Sequence, residues 1–297
     1  MSSPIAHHGG GRAVLGIAPP PAGHHLDYGP DYFQHYSDLR SADDTPPPPY
    51  RCGEPVWEQS FAAKAREIAA RLGPRTVLDA GCAIGFLVQA LRREGVEAYG
   101  VDVSEWAISQ VPEAIRAHCW SGSITTELPR DYDLITCIEV LEHLPAQEAE
   151  AALGNLCRHT TRVLFSSTPD HFDEVTHVNV QPPEHWAALF AVHGFFRDVD
   201  FDASFIAPHA VLFQRGLSLP SAVAAYERWA LGSRRELQGV RDHRDYLYSE
   251  VLELQRQLSA ARAELAALEA TKTFRLTRRL RRLWAKTGGR RRPTSRP

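Results

Sequence analysis

Four residues, Asp79, Gly81, Gly85 and Asp102, carry the first chemistry legible in the chain. The stretch Val77-Leu78-Asp79-Ala80-Gly81-Cys82-Ala83-Ile84-Gly85-Phe86-Leu87 reads as the end of a buried strand, a glycine turn and the start of a helix. Gly81 lets the chain leave the strand with unusual dihedrals, and Gly85 lets backbone approach a ligand at the helix N-terminus. Asp102 ends the next strand-like run, 23 residues after Asp79. An acid there can accept both hydroxyls of a ribose. The spacing D-x-G-x-x-x-G is not the G-x-G-x-x-G of a pyrophosphate turn, and Asp79 stands where a pyrophosphate is least welcome. A ligand with an adenosine, a cationic centre and an amino-acid tail suits this arrangement. S-adenosylmethionine is such a ligand. A second constellation follows at Glu139, Glu142 and His143, whose i, i+3, i+4 spacing can place all three on one helical face. His143 is the first candidate for a base toward an acceptor hydroxyl, and His177 is the second.

These residues need elements to hold them. Trp57, Phe61, Ala65, Ile68 and Leu72 space one face of a helix stopped by Gly73-Pro74. Glu97 to Asp102 is a strand, Ser104 caps a helix, and Ala117 to Trp120 is a short third strand before the loop Ser121 to Ile124. Tyr132 to Glu139 is a fourth strand, apolar on both faces as a buried parallel strand is, and Thr161 to Pro169 is a fifth. A helix over Ala187 to His193 and strands over Arg197–Phe201 and Ala210–Gln214 close the series. Strands alternating with helices and ending in a hairpin describe an α/β sheet with ligands outside the carboxyl ends of its strands.

The run V-L-D-A-G-C-A-I-G at 77–85 resembles motif I of the class I S-adenosylmethionine-dependent methyltransferases, usually worded V-L-D-x-G-C-G-x-G, with Ala83 in place of the middle glycine. Residues 132–144 resemble the family phrase Y-D-L-I-x-x-x-E-V-L-E-H-L. The resemblance covers about residues 55 to 215. It implies a Rossmann-like, doubly wound, seven-stranded sheet and S-adenosyl-L-methionine as cofactor. It further implies that Asp79 holds the amino group directly or through water, with Gly81, Cys82 and Gly85 beside it. Asp102 and Val103 would meet the ribose, Ser123 and Ile124 would border the adenine, and Cys137 and Ile138 would line the cofactor. His143 and His177 are the catalytic candidates. Some relatives, the small-RNA and ubiquinone-pathway O-methyltransferases, use E-x-x-E-H to hold a divalent metal, to which His177 would add a fourth ligand. The blander reading, a helix cap with one acceptor-facing histidine, is preferred, and no metal ligand is assigned. The rival from another class is a cofactor-binding module without catalysis.

Composition divides the chain further. Residues 272–297 hold eleven Lys or Arg and no acid, which leaves 22 bases against 36 acids elsewhere, a net of −14. Residues 1–54 comprise a stretch to about residue 27 that lacks any period and reads as disordered, an aromatic segment and a proline spacer. His7, His8, His24 and His25 have no convergent acid or cysteine to make a metal site. Tyr28 to Tyr36 packs four aromatics into nine residues, as a clasp on the domain or a lid over a ligand. Residues 55–215 form the methyltransferase-like domain. Over 216–271, Leu237, Val240, Leu247, Val251, Leu254, Leu258, Ala261, Leu265 and Leu268 alternate spacings of three and four, broken at Arg244. That is a coiled coil or a long amphipathic helix folded back on the domain.

The tail from 272 puts Leu276, Leu280, Leu283 and Trp284 on an otherwise cationic helix, which suits an anionic membrane surface. It also resembles the S-x-[WF]-R-[LI]-T-x-P-L-R ending found after coiled coils in bacterial surface-polysaccharide enzymes, with Lys272 for the Ser and Arg279 for the Pro. No stacking platform supports a nucleic-acid partner. Five cysteines without C-x-x-C spacing read as buried thiols, and no signal peptide or membrane-spanning run is present, so a cytoplasmic place is expected, with contact at the inner membrane face through the tail. A coil and a cationic tail favour O-methylation of a sugar in a cell-surface glycan or its precursor, with self-association through the coil. The alternative acceptor is a quinol or secondary metabolite.

Overall fold

The computed structural model describes residues 28–35, 49–172, 174–216 and 218–287. The expectations made for residues 1–27, Tyr36, Pro46–Pro48 and the last ten residues of the basic tail lie outside the described residues.

Helix α1 (Pro30–His35) precedes α2 (Pro55–Leu72). Pro55 opens α2 where its missing N–H costs nothing, and Gly73, left-handed at φ 52°, closes it by donating its N–H to the Ala69 carbonyl. The face foreseen from the spacing is the one turned inward, with Trp57, Ala65 and Ile68 buried. Then come β1 (Thr76–Ala80), α3 (Phe86–Arg93), β2 (Glu97–Asp102), α4 (Glu105–Ser109), α5 (Glu113–Arg116), β3 (Cys119–Ser121) and β4 (Leu134–Ile138). A 3-10 turn (Leu141–His143) leads into α6 (Ala146–Arg158), β5 (Arg162–Ser166), α7 (Pro183–Val192), β6 (Phe195–Arg197) and β7 (Val211–Arg215). Ser104 caps α4 as expected, its hydroxyl accepting the Ala107 N–H.

The sheet has seven strands in the order β3-β2-β1-β4-β5-β7-β6. β1 to β5 are parallel, and β7 runs antiparallel between β5 and β6. β1 pairs with both β2 and β4, so the chain reverses its winding there and opens a crevice at the carboxyl ends of these strands. Asp79 lies opposite Gly100 on one side and Thr136 on the other. Alternate residues of β4 feed two cores. Ile135 and Cys137 join Leu78, Leu153 and Trp186, while Leu134 packs with Ile68, Val77 and Leu164 on the other face. Full burial of a side chain such as Ile68 or Ile135 contributes about 1.5–3 kcal/mol.

Two element boundaries differ from expectation. The strand expected at Arg197–Phe201 is β6, two residues earlier: Gly194, at φ 77°, ends α7 and releases the chain directly into a strand. Asp198 then accepts the Asp200 N–H at 3.1 Å and turns the backbone out of the sheet. α7 begins at Pro183 rather than Ala187, with proline in its first turn.

The chain divides into two compact units, one running to Tyr226 and one from Glu227. The long helix α8 (Leu219–Ala270) starts in the first, where Ala222 is buried and the Tyr226 hydroxyl accepts the Arg197 N–H at 3.1 Å. In the second unit α8 continues with exposed Leu237, Val240, Leu247, Val251, Leu254, Leu258, Leu265 and Leu268, and α9 (Lys272–Thr287) follows with exposed Leu276 and Leu280. Among the described residues no helix is long and apolar enough to cross a membrane.

Candidate active site

The crevice above β1, β2 and β4 is a cavity of about 1260 Å³. Its size exceeds the roughly 300–1,000 Å³ of a single small-ligand pocket. Asp79, Gly81, Cys82, Asp102, Val103, Ser123, Ile124, Ile138, His143 and His177 all line it.

Asp102 closes β2 with both oxygens already oriented. Oδ2 accepts the Ala83 N–H at 2.8 Å and Oδ1 accepts the Ser104 N–H at 2.8 Å. Burial pushes its carboxyl up, and these two backbone donors oppose the shift. Each oxygen keeps a second lone pair for a ligand hydroxyl. Ala83 pays for its contact with a left-handed φ of 47°, the position where the family phrase has glycine. Asp79 is more deeply placed. Burial raises it to about 7, with Asp102 adding to the rise, while the Thr136 hydroxyl (2.7 Å to Oδ1) and Lys64 pull the other way. Gly81 (φ 88°) donates its N–H to the Val101 carbonyl at 2.8 Å, and a Cβ on it would sit 2.3 Å from Val140 Cγ2.

Two of the expected cofactor residues do not line the cavity. Gly85 does not line the cavity: a Cβ there would meet Ile115, Val111 and Cys119, so this glycine serves its φ of 82° and close packing beneath the turn. Cys137 is wholly buried on the opposite face of β4 from Ile138, and strand alternation sends only Ile138 to the cavity. Ser123 does reach the cavity, but its hydroxyl also bonds the Thr125 hydroxyl (2.8 Å) and accepts the Thr125 N–H (3.2 Å).

The helical face expected of Glu139, Glu142 and His143 does not form. Glu139 takes φ 53°, and only Leu141–His143 coils, as a 3-10 turn. The side chains are nonetheless kept close: Glu142 stays beside Glu139, and ligand atoms of Glu142, His143 and His177 lie within 4.8 Å of one another. The Glu139 carboxylate accepts His209 Nε2–H at 2.8 Å. Burial alone would push Glu139 up, but His209, Glu142 and Ser166 hold it down to about 2. Glu142 is buried beside it and pushed well up, by burial first and then by Glu139, so the shared proton resides on Glu142. Its Oε2 has no hydrogen-bond partner among the described residues. His143 faces its own carbonyl neighbour: Nδ1 lies 3.3 Å from the Thr176 carbonyl, which can only accept, so Nδ1 carries the hydrogen and Nε2 the lone pair. Burial, then His177, lowers His143 to about 4 and keeps it neutral. His177 stands next to it, with ring centroids 4.7 Å apart.

Between the clasp and the lid, the aromatic segment is placed at the cavity. Tyr28, Tyr32 and Phe33 line it, the Tyr28 carbonyl accepts the Ser104 hydroxyl at 2.6 Å, and Phe33 packs with Tyr50, Trp57, Ile84 and Phe86. Sequence reasoning missed His209, Lys64, His171 and Glu174. His209 sits in a loop 70 residues from Glu139, with nothing in its local pattern to single it out.

Residues 56–199 match the family model for a methyltransferase domain. Residues 56–199 are a methyltransferase domain. It is 31% identical over 109 residues to a ubiquinone biosynthesis O-methyltransferase of Methylococcus capsulatus, covering 32% of this chain and 44% of the relative. It is 32% identical over 98 residues to a magnesium-protoporphyrin O-methyltransferase of Synechocystis, covering 31% and 43%. The chain thus spans under half the length of the curated relatives it matches. Among solved structures, the Synechocystis magnesium protoporphyrin IX methyltransferase with bound S-adenosylmethionine aligns with a TM-score of 0.44 and 19% identity over 54% of this chain and 81% of that one. The amino pentose methyltransferase CalS10 of Micromonospora echinaspora gives 0.46 and 14% over 55% and 93%. Class I methyltransferase domains take S-adenosylmethionine, and the residues here fit it: Asp102 offers paired acceptors for a diol, Asp79 a buried carboxyl for an ammonium, and the turn at Gly81 an approach without side chain.

Proposed function

We propose that this chain is an S-adenosylmethionine-dependent O-methyltransferase acting on a hydroxyl of a small molecule. The observation that carries the reading is one cavity holding both halves of the chemistry: Asp79 and Asp102 at the strand ends, and a neutral His143 that presents the Nε2 lone pair. The bound cofactor supplies an electrophilic methyl on a sulfonium. With that methyl in place, the protein would align the acceptor oxygen with it, and His143 Nε2 would take the acceptor's proton as the methyl passes from sulfur to oxygen. The aromatic wall of Tyr28, Tyr32 and Phe33 excludes water from that step. The two named relatives methylate oxygen on small molecules, which supports the small-molecule acceptor over the glycan. The glycan reading retains one supporting observation, the exposed α8 and the cationic α9.

Calorimetry with S-adenosylhomocysteine, paired with a turnover panel of quinols, catechols and sugar nucleotides, tests the reading. Asp102→Ala should abolish cofactor binding. His143→Ala should lower turnover by ~10²–10⁴ and leave cofactor affinity nearly unchanged. Full turnover in His143→Ala removes the base, and absence of cofactor binding by wild type removes the function.

A further inference from the structure

A cluster of metal-ligating side chains outside the E-x-x-E-H phrase has two members, His171 and His177, on the wall of the same cavity. His171, Glu174 and His177 offer ligand atoms that all fall within 4.8 Å of one another. Their hydrogen bonds leave little freedom in what they offer. His177 Nδ1 lies 2.7 Å from the His171 carbonyl, so Nδ1 carries the hydrogen and Nε2 presents its lone pair. That Nε2 lies 3.2 Å from Glu174 Oε2, a gap that either a shared proton or a bound cation fills. The other oxygen of Glu174 is fixed by the Thr176 hydroxyl at 2.6 Å. A histidine anchored through Nδ1 to a carbonyl, and a carboxylate oriented by a neighbouring hydroxyl, are the outer contacts that metal ligands carry. Ligand atoms roughly 2.0–2.2 Å from one ion are about 3.3–3.6 Å apart at a near-tetrahedral angle, close to the separation of His177 Nε2 and Glu174 Oε2. Of the four residues of the E-x-x-E-H set, Glu142, His143 and His177 have ligand atoms within 4.8 Å of one another, while Glu139 is turned to His209.

We propose that His171, Glu174 and His177 bind one transition-metal dication of zinc, manganese or cobalt type, with His143 Nε2 adjoining. Two imidazoles and one carboxylate suit such an ion and leave coordination positions open. His171 and His177 line the cavity, so the open positions take an oxygen of a second ligand bound there.

The test is Co²⁺ titration of the full chain, followed by visible absorption, with S-adenosylhomocysteine affinity recorded on each variant as a measure of folding. Neither readout needs turnover. One equivalent should bind with the intense bands of a four- or five-coordinate ion. His171→Ala and Glu174→Gln should weaken binding at least ~100-fold, and Thr176→Val, which frees Glu174, by about 10–100-fold. Glu139→Gln should leave it unchanged. If only the weak spectrum of the hydrated ion is seen, a proton rather than a metal joins His177 to Glu174 and the proposal is wrong. It is equally overturned if Glu142→Gln abolishes binding while His171→Ala and Glu174→Gln do not, because the ion then sits on Glu142, His143 and His177.

Discussion

Asp79 and His143 occupy one cavity, yet burial acts on them in opposite senses: it raises the acid to about 7 and lowers the base to about 4. The sign of each pH dependence follows. Below pH 7 the free protein holds Asp79 protonated, whereas an ammonium needs it ionised, so cofactor binding must release a proton there. The affinity for S-adenosylhomocysteine should weaken by up to tenfold per pH unit below about 7. Calorimetry at pH 5.5 in two buffers of different ionisation enthalpy should detect the released proton. Asp79→Asn should bind weakly and independently of pH, and a pH-independent wild type would rule out Asp79 as the ammonium's partner. Turnover at saturating cofactor should hold to near pH 5, because His143 stays neutral until about 4. The free protein behaves in the reverse sense. Asp79 binds its proton more tightly folded than unfolded, so its contribution to stability is full below about pH 4 and is lost as pH rises through 7.

The glycine turn after β1 shows how an element sets the site. Gly81 is the one residue there whose added Cβ would strike a single side chain, Val140, which comes from the segment after β4. Gly81→Ala therefore meets two separable costs. One is the contact with Val140 and the other is the φ of 88°, which penalises any side chain by roughly 1–2 kcal/mol. The variant should lose several degrees in melting temperature and bind S-adenosylhomocysteine weakly. Adding Val140→Ala should restore part of the affinity but not the backbone cost. A double mutant no better than Gly81→Ala would show that the backbone alone decides.

At the scale of the molecule, α8 carries an exposed apolar stripe along the second unit. Arg244 occupies one position of that stripe among Leu237, Val240, Leu247, Val251, Leu254, Leu258, Leu265 and Leu268, all exposed. A second copy of the same helix is the occupant that a 3.5-residue period calls for, and one polar residue in such a seam fixes register. Sedimentation should find a self-associated full chain, and Leu247→Glu with Leu254→Glu should render it monomeric without change in cofactor affinity. A monomeric wild type would end the coiled-coil reading. For α9, co-sedimentation with anionic vesicles should be lost in a chain ending at Ala270 and weaken with salt. Equal, poor binding by both chains would remove the membrane contact and the main support for a glycan acceptor.

The sequence by itself determined the sheet, its order of elements and the residues at its carboxyl ends. Hydrophobic period, glycine spacing and the two terminal acids are local properties of consecutive residues, which is why Asp79, Gly81 and Asp102 could be placed at the cavity from 77–102 alone. That Gly85 and Cys137 stay off the cavity wall was not legible in the sequence, because the deciding fact is which side of an element faces α5 or the core. The i, i+3, i+4 spacing of Glu139, Glu142 and His143 promised a helical face, and a positive φ at Glu139 dissolved it. Only the tertiary structure brought His209 to Glu139, because that contact joins segments 70 residues apart, and His171 and Glu174 to His177. Loops carry no period, and their side chains are placed by the strands that end beneath them.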